Sequence, residues 1–196
     1  ARDRVDEVFD CSRSIRNDRW LYIRNYHPFL GWNQPSVFSD LGEIRNEITN
    51  FSINTGTLFS SEQNHYTSPE RATIEFYDCL ADPDNTHNLA LGKLSPTQQV
   101  SLEKAQQAFK RIRKKTRDVG CLPEGVMADL VNKNGESIAD LARNGKLKLD
   151  QIWDVADSVG RDTESALNFL KSTDPSISFW IINALKASLP SDKNND

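Results

Sequence analysis

The stretch Glu75-Phe76-Tyr77-Asp78-Cys79-Leu80-Ala81-Asp82-Pro83-Asp84-Asn85-Thr86-His87-Asn88-Leu89-Ala90 decides the fold. Phe76 and Tyr77 suit a half-buried strand, because aromatic side chains pack well on a pleated surface. Pro83 lacks a backbone donor and ends strand pairing. Asp82 and Asp84 offer carboxylates to nearby N–H groups, which is turn chemistry. Asn88 is placed to cap the chain where it turns toward a helix. The stretch therefore reads as a strand, an acidic turn and a helical entry.

Working outward from it, residues 8–25 read as a β-hairpin. Val8, Cys11 and Ile15 alternate with polar neighbours, Asn17-Asp18 makes the turn, and Trp20-Leu21-Tyr22-Ile23 is strongly strand-forming. Residues 26–36 read as a packed loop of aromatics beside Pro and Gly. A helix is expected over 36–48, with Ser36 as cap and Val37, Leu41, Ile44 and Ile48 on one face. Residues 50–70 read as polar and irregular, and a third strand spans about 73–79. A long helix is expected over 96–117, with Ser95 as cap, Pro96 in its first turn and Gly120 as its stop. Its apolar face is Leu102, Ala105, Phe109, Ile112 and Thr116. Its other positions carry a run of Lys and Arg, which is either a solvated face or a surface for a polyanion.

After Pro123 the pattern changes to short amphipathic segments at 136–143, 149–159, 163–171 and 175–188. Their stripes are Ile152/Val155/Ala156, Ala166/Phe169/Leu170 and Trp180/Ile181/Ala184/Leu185. Asp174-Pro175 opens the last segment with a cap and a first-turn proline. Two short helices, an Asp-Pro turn and another helix resemble a HEAT-type unit. The expected class is α+β: a small antiparallel sheet packed with a long helix, followed by short HEAT-like helices. The expected division is 1–130 and 131–196.

Composition sets the outer limits. The 196 residues are 37% hydrophobic and 27% charged, with net charge −4. That supplies one domain, or one small domain with an appendage. The mild acidity gives no reason to expect nucleic acid, and no apolar run approaches the ~20 residues of a membrane span. Cys11, Cys79 and Cys121 are too widely spaced for a zinc pattern. Asn50-Phe51-Ser52 matches a glycosylation sequon. There is no phosphate loop, zinc helix or nucleophile elbow. His27, His65 and His87 are scattered in loops. Ala1 in place of an initiator Met, followed by a charged start, reads as a fragment or a processed chain.

Four runs, in order, resemble the carboxyl-terminal region of sulfatases. Glu75–Ala90 resembles "E-L-Y-D-L-x-x-D-P-x-E-x-x-N-L-A". Ala1–Glu7 resembles "A-R-D-R-M-D-E" of a bacterial sulfatase group, and Ser14–Tyr26 resembles its "R-A-V-R-D-x-R-F-K-Y-I-R-N-Y" hairpin. Thr116–Met127 resembles "T-R-D-L-G-x-L-P-E" and is similar to heparan N-sulfatase at the matching place. Together they cover about residues 1–130.

The resemblance implies a parent enzyme that hydrolyses sulfate esters or N-sulfate, on a sulfated polysaccharide. It implies a formylglycine nucleophile made from C-x-P-S-R, a calcium ion, and export to the periplasm or cell exterior. This chain contains no C-x-P-S-R; Cys11-Ser12-Arg13 is a partial echo without the proline. The family's calcium-binding Asp and Asn residues also lie earlier, and Asp84-Asn85 is not that pair. No catalytic or metal residue is therefore assigned, and the chain alone is expected to be inactive. The implied partner is an amino-terminal catalytic domain of the same protein. The implied contacts to a sulfated sugar are Arg2, Arg4, Arg13, His27 and Trp32. Two other readings use the same residues: a non-catalytic helical protein-interaction module, or a pseudo-sulfatase piece that binds sulfated glycans.

Overall fold

The computed structural model describes residues 2–5, 8–34, 36, 40–55 and 66–189; the side chains of 2–8 and 51–55 are not described. The chain forms two compact units, Ala1–Gln106 and Gln107–Asp196. The class is α+β, as the sequence leads one to expect.

The first unit is built on a four-stranded antiparallel sheet in chain order: β1 (Arg2–Val5), β2 (Val8–Arg16), β3 (Trp20–Asn25) and β4 (Ile74–Asp78). The hairpin closes as its sequence suggests. Asn17 Oδ1 accepts from the N–H groups of Arg19 and Trp20 at 2.9 and 2.7 Å, and Arg16 pairs with Leu21. β3 then pairs with β4, Tyr22 opposite Phe76 and Trp20 opposite Asp78. Trp20 stacks on Phe76 with ring centroids 5.0 Å apart, a diagonal cross-strand contact that ties the hairpin to β4. At the end of β4 the Asp78 carboxylate takes a two-pronged bond from Arg19, with Nη2 to Oδ2 at 2.6 Å. That bond, more than any other influence, holds Asp78 below the usual carboxylate range.

The acidic turn after β4 follows its sequence logic closely. Asp82 accepts from the N–H groups of Thr86 and His87 at 3.1 and 2.8 Å. Desolvation is the largest influence on this carboxyl and pushes it up; the bonds from His87 and Thr86 together outweigh it and hold it low. Asn85 takes a left-handed φ of 54°, which Asn tolerates better than most residues. Asn88 does more than cap. Its Oδ1 accepts from Ala90 N–H and Phe76 N–H, and its Nδ2 donates to the Ile74 carbonyl at 3.0 Å. It thus continues the edge of β4 with side-chain atoms, and a 3-10 turn follows at Leu89–Leu91.

The helix expected over 36–48 is displaced: α1 runs Glu43–Thr55. Leu41 and Ile44, expected on its buried face, are 82% and 75% exposed. Asp40 instead bonds back to Ser36 through both its N–H and its carboxylate, making a turn before Gly42. Residues 50–55, expected to be irregular, are the second half of α1. Its sequon Asn50-Phe51-Ser52 therefore lies in a helix, and residues 56–65 lie outside the described ones.

The long helix α2 (Pro96–Thr116) has its expected span. Ser95 and Gln98 form reciprocal bonds, the Ser95 hydroxyl accepting from Gln98 N–H and Gln98 Oε1 from Ser95 N–H. Its stop is not Gly120. The helix ends at Thr116 because Arg117 takes a left-handed φ of 52°. Ile112 is exposed at 47%, while Arg113 turns inward, its guanidinium 4.4 Å over the Trp153 ring.

The second unit adds α3 (Glu124–Asn134), α4 (Ile138–Arg143), α5 (Leu149–Ser158), α6 (Thr163–Leu167) and α7 (Pro175–Ser188). α3 is a helix that the sequence pattern does not announce. α6 is shorter than the expected 163–171, and Leu170 is 62% exposed instead of joining the stripe. The α7 start behaves as expected: Asp174 Oδ1 accepts from Ser176 N–H at 2.9 Å, with Pro175 in the first turn.

The Thr116–Pro123 turn is where this unit is fastened. Arg117 Nε donates to the Ala142 carbonyl at the end of α4 at 3.0 Å. Trp153 Nε1 from α5 donates to the Asp118 carbonyl at 2.9 Å, and Trp180 Nε1 from α7 donates to the Cys121 carbonyl at 2.7 Å. Arg113 grips Asp157 of α5 through two bonds of 2.8 Å. Lys114 pairs with Asp150 at 3.2 Å, so part of the basic face of α2 is matched by carboxylates of α5. Trp180 has no solvent exposure. Trp180→Ala is expected to lower the stability of this unit by about 3–5 kcal/mol, read from urea denaturation followed by tryptophan fluorescence and far-UV circular dichroism. A loss under 1 kcal/mol would contradict the fastening role given to this indole.

Candidate functional site

All five candidate residues belong to the first unit, and two of them, His27 and Trp32, lie in the loop after β3. Two polar networks hold this region, and both are buried.

The first network joins β2, β3 and β4. The Ser12 hydroxyl donates to Asn25 Oδ1 at 2.7 Å, and Asn25 Nδ2 donates to Glu75 Oε1 at 2.5 Å and to the Ala72 carbonyl at 2.7 Å. The Tyr77 hydroxyl completes Glu75 with a 2.7 Å bond to Oε2. Arg24 bonds the carbonyls of Asn25 and Thr73 through Nη1, and its guanidinium lies 4.8 Å over the Tyr26 ring. Arg24 and Glu75 are each 1% exposed. Charges this deep persist only where hydrogen bonds and ring contacts offset their lost hydration.

The second network is the ion pair of Asp10 and Arg71, which links β2 to the segment just before β4. Arg71 lies 4.8 Å over the Trp32 ring, and His27 Nδ1 lies 3.9 Å from Asp10 Oδ1. His27 is wedged between Phe9 and Phe29, with centroids at 5.3 and 5.5 Å. The loop is anchored along its length. Arg71 N–H donates to the Pro28 carbonyl at 2.9 Å, and Gln34 Nε2 reaches the Gly31 carbonyl. Gly31 is required by space: a Cβ there would collide with the Ser68 carbonyl oxygen. Arg45 of α1 bonds Asn33, the Gln34 carbonyl and Asp40, and Asn33 Nδ2 bonds Thr49 at 3.0 Å.

Two of the five residues that the resemblance singles out, His27 and Trp32, are thus brought together around one ion pair. Arg13 is buried as well, and its Nη1 donates to the Ser12 carbonyl at 3.0 Å, which belongs to the other network. Arg2 and Arg4 pair through their backbones with β2, opposite Ser12 and Phe9; their side chains lie outside the described ones. The sequence does not mark Asp10 and Arg71. They stand 61 positions apart, and neither has a local pattern that marks it. Among the described residues, Nε and Nη1 of Arg71 have no hydrogen-bond partner. The arrangement is a fixed, desolvated guanidinium on an indole face, with an imidazole at its acid. Buried and paired in this way, the guanidinium fixes the position of the Trp32 ring and of the loop that carries it. Among the described residues no group of three potential metal ligands occurs, and Cys11, Cys79 and Cys121 are buried and form no disulfide.

Comparison with known proteins now bears on this geometry. Over 152 residues, 76% of its length, the chain is 28% identical to the "Ulvan-active sulfatase" of Formosa agariphila. The chain resembles part of a sulfatase. The matched region is 24% of that relative, so the chain spans about a quarter of its length. No family model matches, and no solved structure matches. No helix of the described residues is long and apolar enough to cross a membrane.

The Glu75–Tyr77 bond gives a pH-dependent test. Burial first, then the bond to Glu75 and the charges of Glu75 and Asp82, push the Tyr77 hydroxyl well above its ordinary pKa of about 10. A pKa raised by folding gives stability that is complete below about pH 10 and is lost as pH rises beyond it. Tyr77→Phe is expected to cost about 1–3 kcal/mol at pH 7, because Glu75 loses a buried donor. The gap between the two proteins is expected to narrow above pH 10. Urea titrations at pH 7 and pH 11 check this; an unchanged gap would contradict it.

Proposed function

We propose that this chain is a carboxyl-terminal part of a sulfatase acting on a sulfated polysaccharide of the ulvan kind. The observation that carries the reading is the 152-residue likeness to an ulvan-active sulfatase, of which the chain spans only a quarter. The four ordered motifs support it, and the missing C-x-P-S-R run removes the nucleophile from this chain. In this reading the chemistry belongs to an amino-terminal domain, which supplies the formylglycine and calcium. The present chain contributes substrate contacts, and the whole protein works in the periplasm or outside the cell.

The contacts in this reading are Arg2, Arg4, Arg13, His27 and Trp32, and Arg71 positions Trp32. The buried guanidinium on the Trp32 face holds the loop in one conformation. In this reading the half-buried indole stacks against a sugar ring through its remaining face, and the arginines of β1 and β2 supply positive charge for sulfate oxygens.

The purified 196-residue chain is expected to show no turnover of 4-nitrophenyl sulfate with or without calcium. It is expected to be retarded in ulvan affinity electrophoresis, the more so at low salt, and Trp32→Ala is expected to reduce that retardation several-fold without changing the far-UV spectrum. Calcium-dependent turnover by the chain alone would contradict the division of labour. Retardation unaltered by Trp32→Ala would remove the loop from the substrate contacts.

A further inference from the structure

The basic residues of α2 fall into two groups with different surroundings. Arg113 is bonded to Asp157, Lys114 pairs with Asp150, and Lys110 lines the same cleft as Asp154. Those cations face the carboxylates of α5 and are offset by them. Lys104, Arg111 and Lys115 are not. All three are exposed, and among the described residues none of them forms an ion pair.

Helical geometry puts these three on one line. At 3.6 residues per turn they lie within about 40° of one another, on the side opposite the buried Leu102 and Phe109. At a rise of about 1.5 Å per residue, Arg111 stands roughly 10 Å along the axis from Lys104 and roughly 6 Å from Lys115. Gln107 and Ala108, which lie between them on that side, are uncharged. The acid of α2, Glu103, sits more than a quarter turn away and is bonded to Gln99.

A line of like charges weakens the helix that carries it, and Arg111 and Lys115 are i,i+4 neighbours. A polyanion laid along the line turns that repulsion into attraction and releases its own counterions. The side chains narrow the partner further. The line carries no aromatic ring for a base to stack on, so nothing in it favours a single-stranded nucleic acid. Ammonium and guanidinium groups spaced along one axis suit the sulfate oxygens of an extended polysaccharide.

We propose that the exposed line of Lys104, Arg111 and Lys115 on α2 binds a sulfated polysaccharide, as a contact surface additional to the loop after β3. That the polyanion is a carbohydrate rests on the sulfatase reading above; that the line takes a polyanion does not. Immobilised ulvan is the probe, with desulfated ulvan and a polydeoxythymidine strand as comparisons, and the full chain is titrated over a series of salt concentrations. Three counterion-releasing contacts make binding fall roughly 20–40-fold for a fourfold rise in salt. The triple variant Lys104→Gln, Arg111→Gln, Lys115→Gln keeps good helix formers at exposed positions and is expected to retain the far-UV spectrum. Over the same rise in salt, the unaltered chain is expected to lose that factor more affinity for ulvan than the triple variant does. Desulfated ulvan is expected to show no such difference. Lys133→Gln, Lys148→Gln, Lys171→Gln makes the same change of net charge at exposed positions off α2 and is expected to bind as the unaltered chain does. A salt dependence that survives the first triple substitution, an equal loss in the second, or polydeoxythymidine bound as tightly as ulvan would overturn the proposal. If Trp32→Ala leaves binding unaltered while the first triple substitution flattens its salt dependence, the loop contact falls and the line on α2 stands.

Discussion

A buried ion pair sets the conditions for the first unit. Asp10 has no solvent exposure, and the Arg71 side chain is 1% exposed. Two charges at such depth are tolerated only as a bonded pair, because either alone keeps an uncompensated desolvation penalty. Once Asp10 is fixed in β2 and Arg71 ahead of β4, the loop after β3 has little choice. Pro28 is bonded to the Arg71 backbone, and Gly31 must pass beneath the Ser68 carbonyl, where only a hydrogen fits. Trp32 then lies under the guanidinium, and His27 beside the carboxylate. The loop that the sulfatase resemblance marks for substrate contact is therefore shaped by residues that the resemblance does not mark.

The helical unit solves a different problem with the same economy. Its helices are short, and each alone is marginal in water. The Thr116–Pro123 turn offers its carbonyls to two tryptophans on two different helices, and Arg113 adds a grip on Asp157. The cost of this arrangement shows at Asp154. Desolvation, then the charges of Asp157 and Asp150, raise its pKa against the pull of Arg113. The run from Thr116 therefore has a visible local reason for its residue types, whatever the enzyme around it does.

Much of this was legible in the sequence, and the failures have physical causes. The hairpin, β4, the acidic turn and the start of α7 were readable because each depends on neighbours within a few positions. The register of α1 was misplaced because Leu41 and Ile44 have helical spacing but are left in solvent. Propensity points to Gly120 as the stop of α2, whereas Arg117 takes the left-handed position in exchange for its bond to Ala142. α3 is not legible because it buries no side chain fully and so shows little periodic signal. His27 and Trp32 stood out as an aromatic loop, but their partners Asp10 and Arg71 could not, since only the fold brings those together.

The most direct test is a double-mutant cycle at the ion pair, with Asp10→Asn, Arg71→Met and the double variant compared by urea denaturation at neutral pH. Each single change leaves one buried charge alone and is expected to cost about 3–5 kcal/mol. The double variant is expected to cost far less than the sum, with a coupling of at least about 2 kcal/mol. Additive losses within about 0.5 kcal/mol would mean that the two side chains do not depend on each other. The buried pair would then not be what shapes the loop.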